Sequence, residues 1–139
     1  MHLTLLKSKI HRATVTGASL DYEGSLTVSA DIAEMVGLLA CEKILVGNLQ
    51  NGERFETYVI LGAPGKGQIE LNGATAHLGK VGDLLTIMSF ALLTAEEAKT
   101  HRPRIAVLDR HNQIIRCVRA ETPTSRSEWE AEVMQASDR

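Results

Sequence analysis

Two apolar runs, Lys43 to Leu49 and Glu53 to Leu61, flank Gln50-Asn51-Gly52. An Asn-Gly step between apolar runs is the strongest short-range signal of a β-hairpin, because both residues tolerate the positive φ a tight turn needs. The same punctuation recurs along the chain at Gly62 to Gly67, Asn72-Gly73, Lys80-Val81-Gly82-Asp83 and Asp109-Arg110-His111-Asn112. Such spacing leaves room for short strands and little else, which predicts an all-β dominated, small closed β barrel with a few short helices. At 139 residues the chain fits one domain with a single core.

The strands and helices follow from local pattern. Leu3 to Val15 reads as a strand with broken apolar alternation, and its Lys7 and Arg12 suit an edge strand guarded by charge. Lys9 and His11 share one face of it. Leu26-Thr27-Val28 is a short strand, and Ser29 is placed to N-cap a brief helix carrying Ile32, Met35 and Val36 that Gly37 ends. Gln68 to Leu71 is a strand that stops at Asn72-Gly73. Leu84 to Leu92 is an almost unbroken apolar run, read as a fully buried strand. Thr94-Ala95-Glu96-Glu97 opens a short helix with a capping box, and Pro103 bounds it. Arg104 to Leu108 and Gln113 to Ala120 pair across the last turn. From Glu121 the chain is polar, a tail over 121–139 with a weak helix around Trp129 and Val133 or none.

Composition removes several classes of function. A net charge of −2 with no basic run gives nucleic acid no electrostatic footprint. Aromatic residues make up 4%, too few for a base-stacking platform. No apolar run reaches membrane-spanning length, and the N-terminus lacks a secretion signal, so a cytoplasmic protein is expected. Cys41 and Cys117 lie far apart and read as small buried residues of a reducing compartment. The five histidines show no metal-ligand spacing, so no metal is expected.

Against that background Asp21-Tyr22-Glu23-Gly24-Ser25 carries chemistry. Glycine can adopt a strained or left-handed backbone and leaves its carbonyl open to close approach. The Ser25 hydroxyl can attack the Gly24 carbonyl and turn the amide into an ester. Elimination from that ester breaks the chain and leaves dehydroalanine, and hydrolysis then leaves a pyruvoyl group at residue 25. Most Gly-Ser pairs are ordinary turns, so the neighbouring residues must decide. Arg54, Glu56 and Tyr58 alternate onto one strand face, where Arg54 offers a planar fork for a carboxylate and Tyr58 a phenolic proton. Thr57 falls on the opposite face. Asn72 to His77 is a small-residue segment able to hold an anion or orient a carbonyl.

Taken together, Lys9, Ile10-His11-Arg12, Tyr22-Glu23-Gly24-Ser25, Asn51-Gly52, Arg54, Thr57-Tyr58, Asn72-Gly73-Ala74, Ala76-His77 and Val81-Gly82-Asp83 resemble the aspartate 1-decarboxylase family. The likeness spans roughly residues 1–103. It implies a six-stranded double-psi β barrel over residues 1–120 and a homotetramer with sites between subunits. It also implies an inactive proenzyme that cleaves at Gly24-Ser25 into fragments 1–24 and 25–139, with Ser25 becoming a covalent pyruvoyl cofactor. The implied reaction is loss of the α-carboxylate of L-aspartate through a Schiff base on the pyruvoyl group, giving β-alanine for pantothenate and coenzyme A synthesis. By position, Tyr58 is the proton donor, Thr57 and Gly73-Ala74-Thr75 contact substrate, Arg54 and Lys9 meet carboxylates, and Asn72 positions the pyruvoyl end. Thr75 stands where members often have alanine, and Gly47 where some carry tryptophan.

Two other readings fit parts of the sequence. One is a serine hydrolase using Ser25, His11 and Asp21, although the chain lacks a G-x-S-x-G elbow. The other is a non-catalytic binding or assembly module in which Gly24-Ser25 is only a turn.

Overall fold

The computed structural model describes residues 1–119, so the tail from Glu121, its helix at Trp129 and Val133, and Ala120 lie outside the described residues. Nine strands join in one hydrogen-bonded order, β2-β6-β3-β5-β4-β7-β1-β8-β9. They are β1 (His2–Thr14), β2 (Gly17–Ser19), β3 (Ser25–Ser29), β4 (Lys43–Asn48), β5 (Arg54–Gly62), β6 (Ile69–Asn72), β7 (Leu84–Thr94), β8 (Arg104–Leu108) and β9 (Ile114–Arg119). Helix α1 (Ala30–Val36), a 3₁₀ turn (Gly73–His77) and helix α2 (Ala95–Ala98) complete it. The strand-dominated class expected from the turn spacing holds. Three-residue β2 and the 3₁₀ turn carry no apolar periodicity, and the sequence pattern gave no sign of either.

Strand β1 runs through the middle of the sheet. It pairs antiparallel with β7 and parallel with β8, so it is not the charge-guarded edge expected of it. Its broken alternation reflects two register shifts, between Leu6 and Ser8 and between Ile10 and Ala13. A bulge adds a residue on one side of the ladder and lets polar side chains leave a central strand. At the first, Lys7 turns aside to the Gly37 carbonyl (3.0 Å) and to Glu42. At the second, Arg12 takes φ 65°, a left-handed conformation uncommon for arginine.

Inward positions of these strands build the core. Ile10, Ile44, Val46, Leu85 and Ile87 pack with Leu26, Val28, Ile69 and Leu71, all at most 1% exposed. Burying each such side chain contributes about 1.5–3 kcal/mol. Strand β7 is not fully buried: it alternates, with Leu85 and Ile87 inside while Phe90 and Leu92 are 41% and 67% exposed. Cys41 and Cys117 are exposed as well, contrary to the sequence reading.

Two local expectations shift at their ends. The β4–β5 hairpin forms, but its loop is longer than a two-residue turn: Asn48 N donates to Glu53 O and Gly52 N to Asn48 O, and Gly52 alone of the Asn-Gly pair has positive φ. Ser29 stands at the N-cap of α1 without capping it. Its hydroxyl sits between Asp31 Oδ1 (2.7 Å) and the Ala63 carbonyl (2.8 Å), leaving no backbone N–H on it. The capping box at Thr94 forms as expected, with Thr94 and Glu97 bonded reciprocally.

Candidate active site

Strand β3 begins at Ser25, and that start is held from three sides. It pairs antiparallel with β6, Ser25 opposite Asn72, and parallel with β5, Leu26 opposite Val59. Ser25 is fully buried although Asp21 to Gly24 just before it are exposed. The Asn72 amide donates to Ser25 Oγ (3.1 Å) and to Thr27 Oγ1 (2.8 Å), which uses both of its hydrogens. Ser25 Oγ donates in turn to the Glu23 carbonyl (3.2 Å). From β5, Thr57 Oγ1 reaches the Gly24 carbonyl oxygen at 3.4 Å. From the 3₁₀ turn, Thr75 Oγ1 lies 3.1 Å from the Ser25 carbonyl and 2.7 Å from the Asn72 carbonyl.

The conformational demand expected of Gly24 falls on another glycine. Gly24 has no positive φ, and a Cβ there would meet nothing within 4 Å. Gly73 has φ 63°, and its Cβ would stand 2.5 Å from the Tyr22 carbonyl oxygen and 2.6 Å from Gly24 N. The missing side chain at Gly73 is therefore the space in which the Tyr22–Gly24 backbone, just ahead of the Gly24-Ser25 bond, lies. Ala74, next in the turn, is exposed.

Register assigns the remaining residues to the other side of the sheet. Lys9 is opposite Met88, itself opposite Leu45, and Arg54 is opposite Gly47, itself opposite Thr86; all belong to the outward face, since Ile10, Val46 and Ile87 point inward. Arg54 lies over the bare backbone of Gly47, where a Cβ would be 3.8 Å from its guanidinium. Tyr58 shares this face, and its hydroxyl reaches Glu23 Oε2 at 3.5 Å. Burial first, and then the Glu23 carboxylate, push the Tyr58 phenol pKa up. Desolvation lowers the Lys9 ammonium pKa. His11 is lowered by burial and by Lys9 and Arg12 beside it, and its Nδ1 has no partner.

One copy of the chain thus gathers Gly24, Ser25, Thr57, Asn72, Gly73 and Thr75, and keeps Lys9 and Arg54 apart from them. Among the described residues no hydrogen bond or ion pair joins Lys9 or Arg54 to that cluster. The cavity beside Ser25, about 390 Å³, is lined by Tyr22, Glu23, Thr27, Ile60, Glu70 and Asn72. Its two carboxylates would repel a dicarboxylate that entered without cationic partners. A larger cavity of about 680 Å³ lies at the β8–β9 turn, between Arg12, Thr14 and Arg110, and none of the expected site residues lines it. No group of three or more His, Cys, Asp or Glu side chains able to hold a metal exists among the described residues.

Sequence reasoning missed three contributors: the Glu23 carboxylate on Tyr58, the steric demand at Gly73, and the Thr75 hydroxyl on the Ser25 carbonyl. Only Gly73 left a trace, as a glycine directly after the strand-ending Asn72. The Ser25 hydroxyl rests on a backbone carbonyl and an amide, with no imidazole among its partners, which removes the Ser25–His11–Asp21 hydrolase reading.

The wider likeness agrees with this cluster. A family profile described as Aspartate decarboxylase matches residues 1–115. An aspartate 1-decarboxylase of Caldicellulosiruptor saccharolyticus is 54% identical over 116 residues, covering 84% of this chain and 91% of its own. Those of Listeria monocytogenes and Bacillus licheniformis are 54% and 49% identical over 114 residues, each covering 82% of this chain and 90% of their own. With a profile over most of its length and relatives at this identity, the chain belongs to the aspartate decarboxylase family.

Proposed function

We propose that the chain is made as an inactive precursor, breaks its own Gly24-Ser25 bond, and as the mature enzyme converts L-aspartate to β-alanine and carbon dioxide. The observation that carries this is the buried Ser25 hydroxyl, oriented by Asn72 and Glu23 beside a Gly24 carbonyl that already has a donor on its oxygen. Attack by Oγ moves negative charge onto that oxygen. Thr57 Oγ1 stands where it can answer the charge, as an oxyanion donor does.

A pyruvoyl group at residue 25 fits the surroundings. It would retain the residue 25 carbonyl, which Thr75 Oγ1 already contacts, and its ketone, formed at Cα in place of the amine, would have the Asn72 amide as a candidate donor once Oγ has left. Gly73 leaves the room that a Cβ would fill. Such a group supplies an electrophilic ketone that takes up the amino group of aspartate and draws off the electron pair the departing carboxylate leaves behind.

The protein's own share is to choose which carboxylate departs and to return a proton. Both carboxylates of aspartate need cationic partners; on the outward face Lys43 is already paired with Glu56, and Lys9 and Arg54 are the cations we assign to them. The Arg54 fork clamps the side-chain carboxylate in two bonds and so sets which carbon–carbon bond is aligned for cleavage. Lys9, desolvated, gains from a carboxylate partner. Tyr58, held protonated by burial and by Glu23, delivers the proton to the carbon that lost carbon dioxide.

Lys9 and Arg54 are separated from Ser25 within one copy, so we assign the complete site to the junction between copies of a homotetramer. Exposed apolar groups support assembly: Phe90 and Leu92 on the outward face of β7, and Ile60 and Leu61 on β5. Backbone bonds across the strand order support a barrel. Just after β1, the backbone N–H groups of Val15 and Thr16 donate to the Asp83 carbonyl on one side and the Ile69 carbonyl on the other, linking the two halves of the strand order. A closed six-stranded double-psi barrel at the centre of the nine strands is the reading we adopt.

Two measurements test the whole proposal. Denaturing mass analysis of purified protein should give two fragments meeting between Gly24 and Ser25, and the same preparation should release β-alanine from L-aspartate. The Ser25→Ala protein should stay intact, folded and inactive, since alanine has no nucleophile to start the acyl shift. Fragments or β-alanine from that variant would sink the maturation scheme.

A further inference from the structure

Thr75 is 6% exposed, and its hydroxyl has two acceptors but only one hydrogen to give. The nearer is the Asn72 carbonyl at 2.7 Å and the farther is the Ser25 carbonyl at 3.1 Å. While both oxygens are neutral, the shorter contact holds the hydrogen. A hydroxyl rotor can change acceptor at little cost when one of them gains charge. That gives a bond which strengthens only as the reaction proceeds, and only such bonds lower a barrier.

Maturation puts charge on that second oxygen. Attack of Ser25 Oγ on the Gly24 carbonyl forms the Gly24 C–Oγ bond and breaks the Gly24 C–N bond, freeing the Ser25 amine. Elimination then removes the proton on Ser25 Cα and breaks the Cβ–Oγ bond, so that Gly24 leaves as a carboxylate. The electron pair released at Cα is shared with the neighbouring carbonyl of residue 25, whose oxygen becomes enolate-like. Hydrolysis of the resulting aminoacrylate releases ammonia.

We propose that Thr75 is a catalytic residue of the elimination step, swinging its hydroxyl hydrogen from the Asn72 carbonyl to the Ser25 carbonyl as the latter takes on enolate charge. The assignment rests on the self-cleavage reading and gives Thr75 a side-chain role separate from the turn backbone. Thr57 and Thr75 then divide the work by oxygen atom. Thr57 serves the Gly24 oxygen during the acyl shift, and Thr75 serves the Ser25 oxygen during elimination.

The test is a time course of maturation in Thr75→Val, which keeps shape and loses the hydroxyl, with Thr75→Ser as rescue and Thr75→Ala in place of valine if that variant does not fold. Hydroxylamine reports the intermediate, because it cuts an ester at Gly24 and leaves an intact amide alone. Fragment masses report the outcome, since a Ser25 terminus is heavier than a pyruvoyl terminus by one ammonia. The expected result is a folded Thr75→Val chain that is hydroxylamine-sensitive and forms pyruvoyl fragment slowly, with Thr75→Ser near wild type. The loss should be roughly 10²-fold, the lower end for one oxyanion donor. Wild-type pyruvoyl formation by Thr75→Val would overturn the assignment. So would a folded, hydroxylamine-resistant, uncleaved chain, which would put Thr75 at the acyl shift. Failure of the wild-type chain itself to cleave would instead remove the self-cleavage reading.

Discussion

At the scale of single residues, the site depends on one absent side chain and one negative charge. Gly73→Ala puts a Cβ against Tyr22 O and Gly24 N and holds alanine at φ 63°. The backbone conformation alone costs about 1–3 kcal/mol. The contacts must also push the Tyr22–Gly24 segment away, so self-cleavage should fall far more than stability does. Fragment yield and thermal unfolding, measured side by side, check this; normal cleavage would mean the segment moves aside freely. Glu23 bears on Tyr58 differently. Its carboxylate helps raise the phenol pKa, so Tyr58 stays protonated across neutral pH and a proton-donor role is lost only on the alkaline side. In Glu23→Gln the alkaline limb of kcat should move to lower pH, while burial, the largest cause, keeps the phenol above its ordinary value. Tyr58→Phe should cleave normally yet lose roughly 10²–10⁴-fold in kcat. An unmoved limb would free Tyr58 from Glu23.

At the scale of elements, β1 shows what the sequence revealed and what it withheld. Alternation located the strand within a residue or two at each end, and the turn residues did the same for β4, β5 and β7. The alternation could not say that β1 is central, because charge at Lys7 and Arg12 looks alike on an edge strand and on a bulged inner one. Partners settled it, and partners are long-range. The site divides the same way: Gly24, Ser25 and Asn72 were legible as chemistry, while the Thr75 contact depends on a 3₁₀ turn with no periodic signature. The second bulge has a consequence for pH. His11 lies there with Nδ1 buried and unpartnered, and burial, Lys9 and Arg12 all lower its pKa. Protons therefore bind the unfolded chain more readily, so stability falls as pH drops below the ordinary histidine value of 6.5. Asp31, Glu97 and Asp109 are also lowered, but as carboxylates they lose their contribution only at more acid pH. Melting of His11→Gln should thus change less than wild type between pH 7.5 and 5.5; equal slopes would rule His11 out as the source.

At the scale of the whole molecule, the separation of Ser25 from Lys9 and Arg54 makes a strong demand on assembly. If the complete site forms between copies, residue 25 comes from one and Arg54 from its neighbour. Two inactive variants should then repair each other. Ser25→Ala lacks the reactive group but keeps Arg54. Arg54→Ala keeps Ser25, and because Arg54 is bonded to none of the Ser25 cluster it should still cleave itself. Co-expressed, the two chains mix at random, and about a quarter of the sites pair an intact residue 25 with an intact Arg54. β-Alanine production near that fraction of wild type, from a mixture of two chains each inactive alone, is the expected result. Mixing after purification should restore little until subunits exchange, which separates assembly from trace contamination. Phe90→Asp in both chains is the control, since a charge on the exposed apolar face of β7 should prevent association and abolish the repair. If the mixture stays dead although both chains are folded, associated and, for Arg54→Ala, cleaved, then Arg54 serves the Ser25 of its own copy. In that case the outward face of one chain would have to fold back toward β3 when substrate binds.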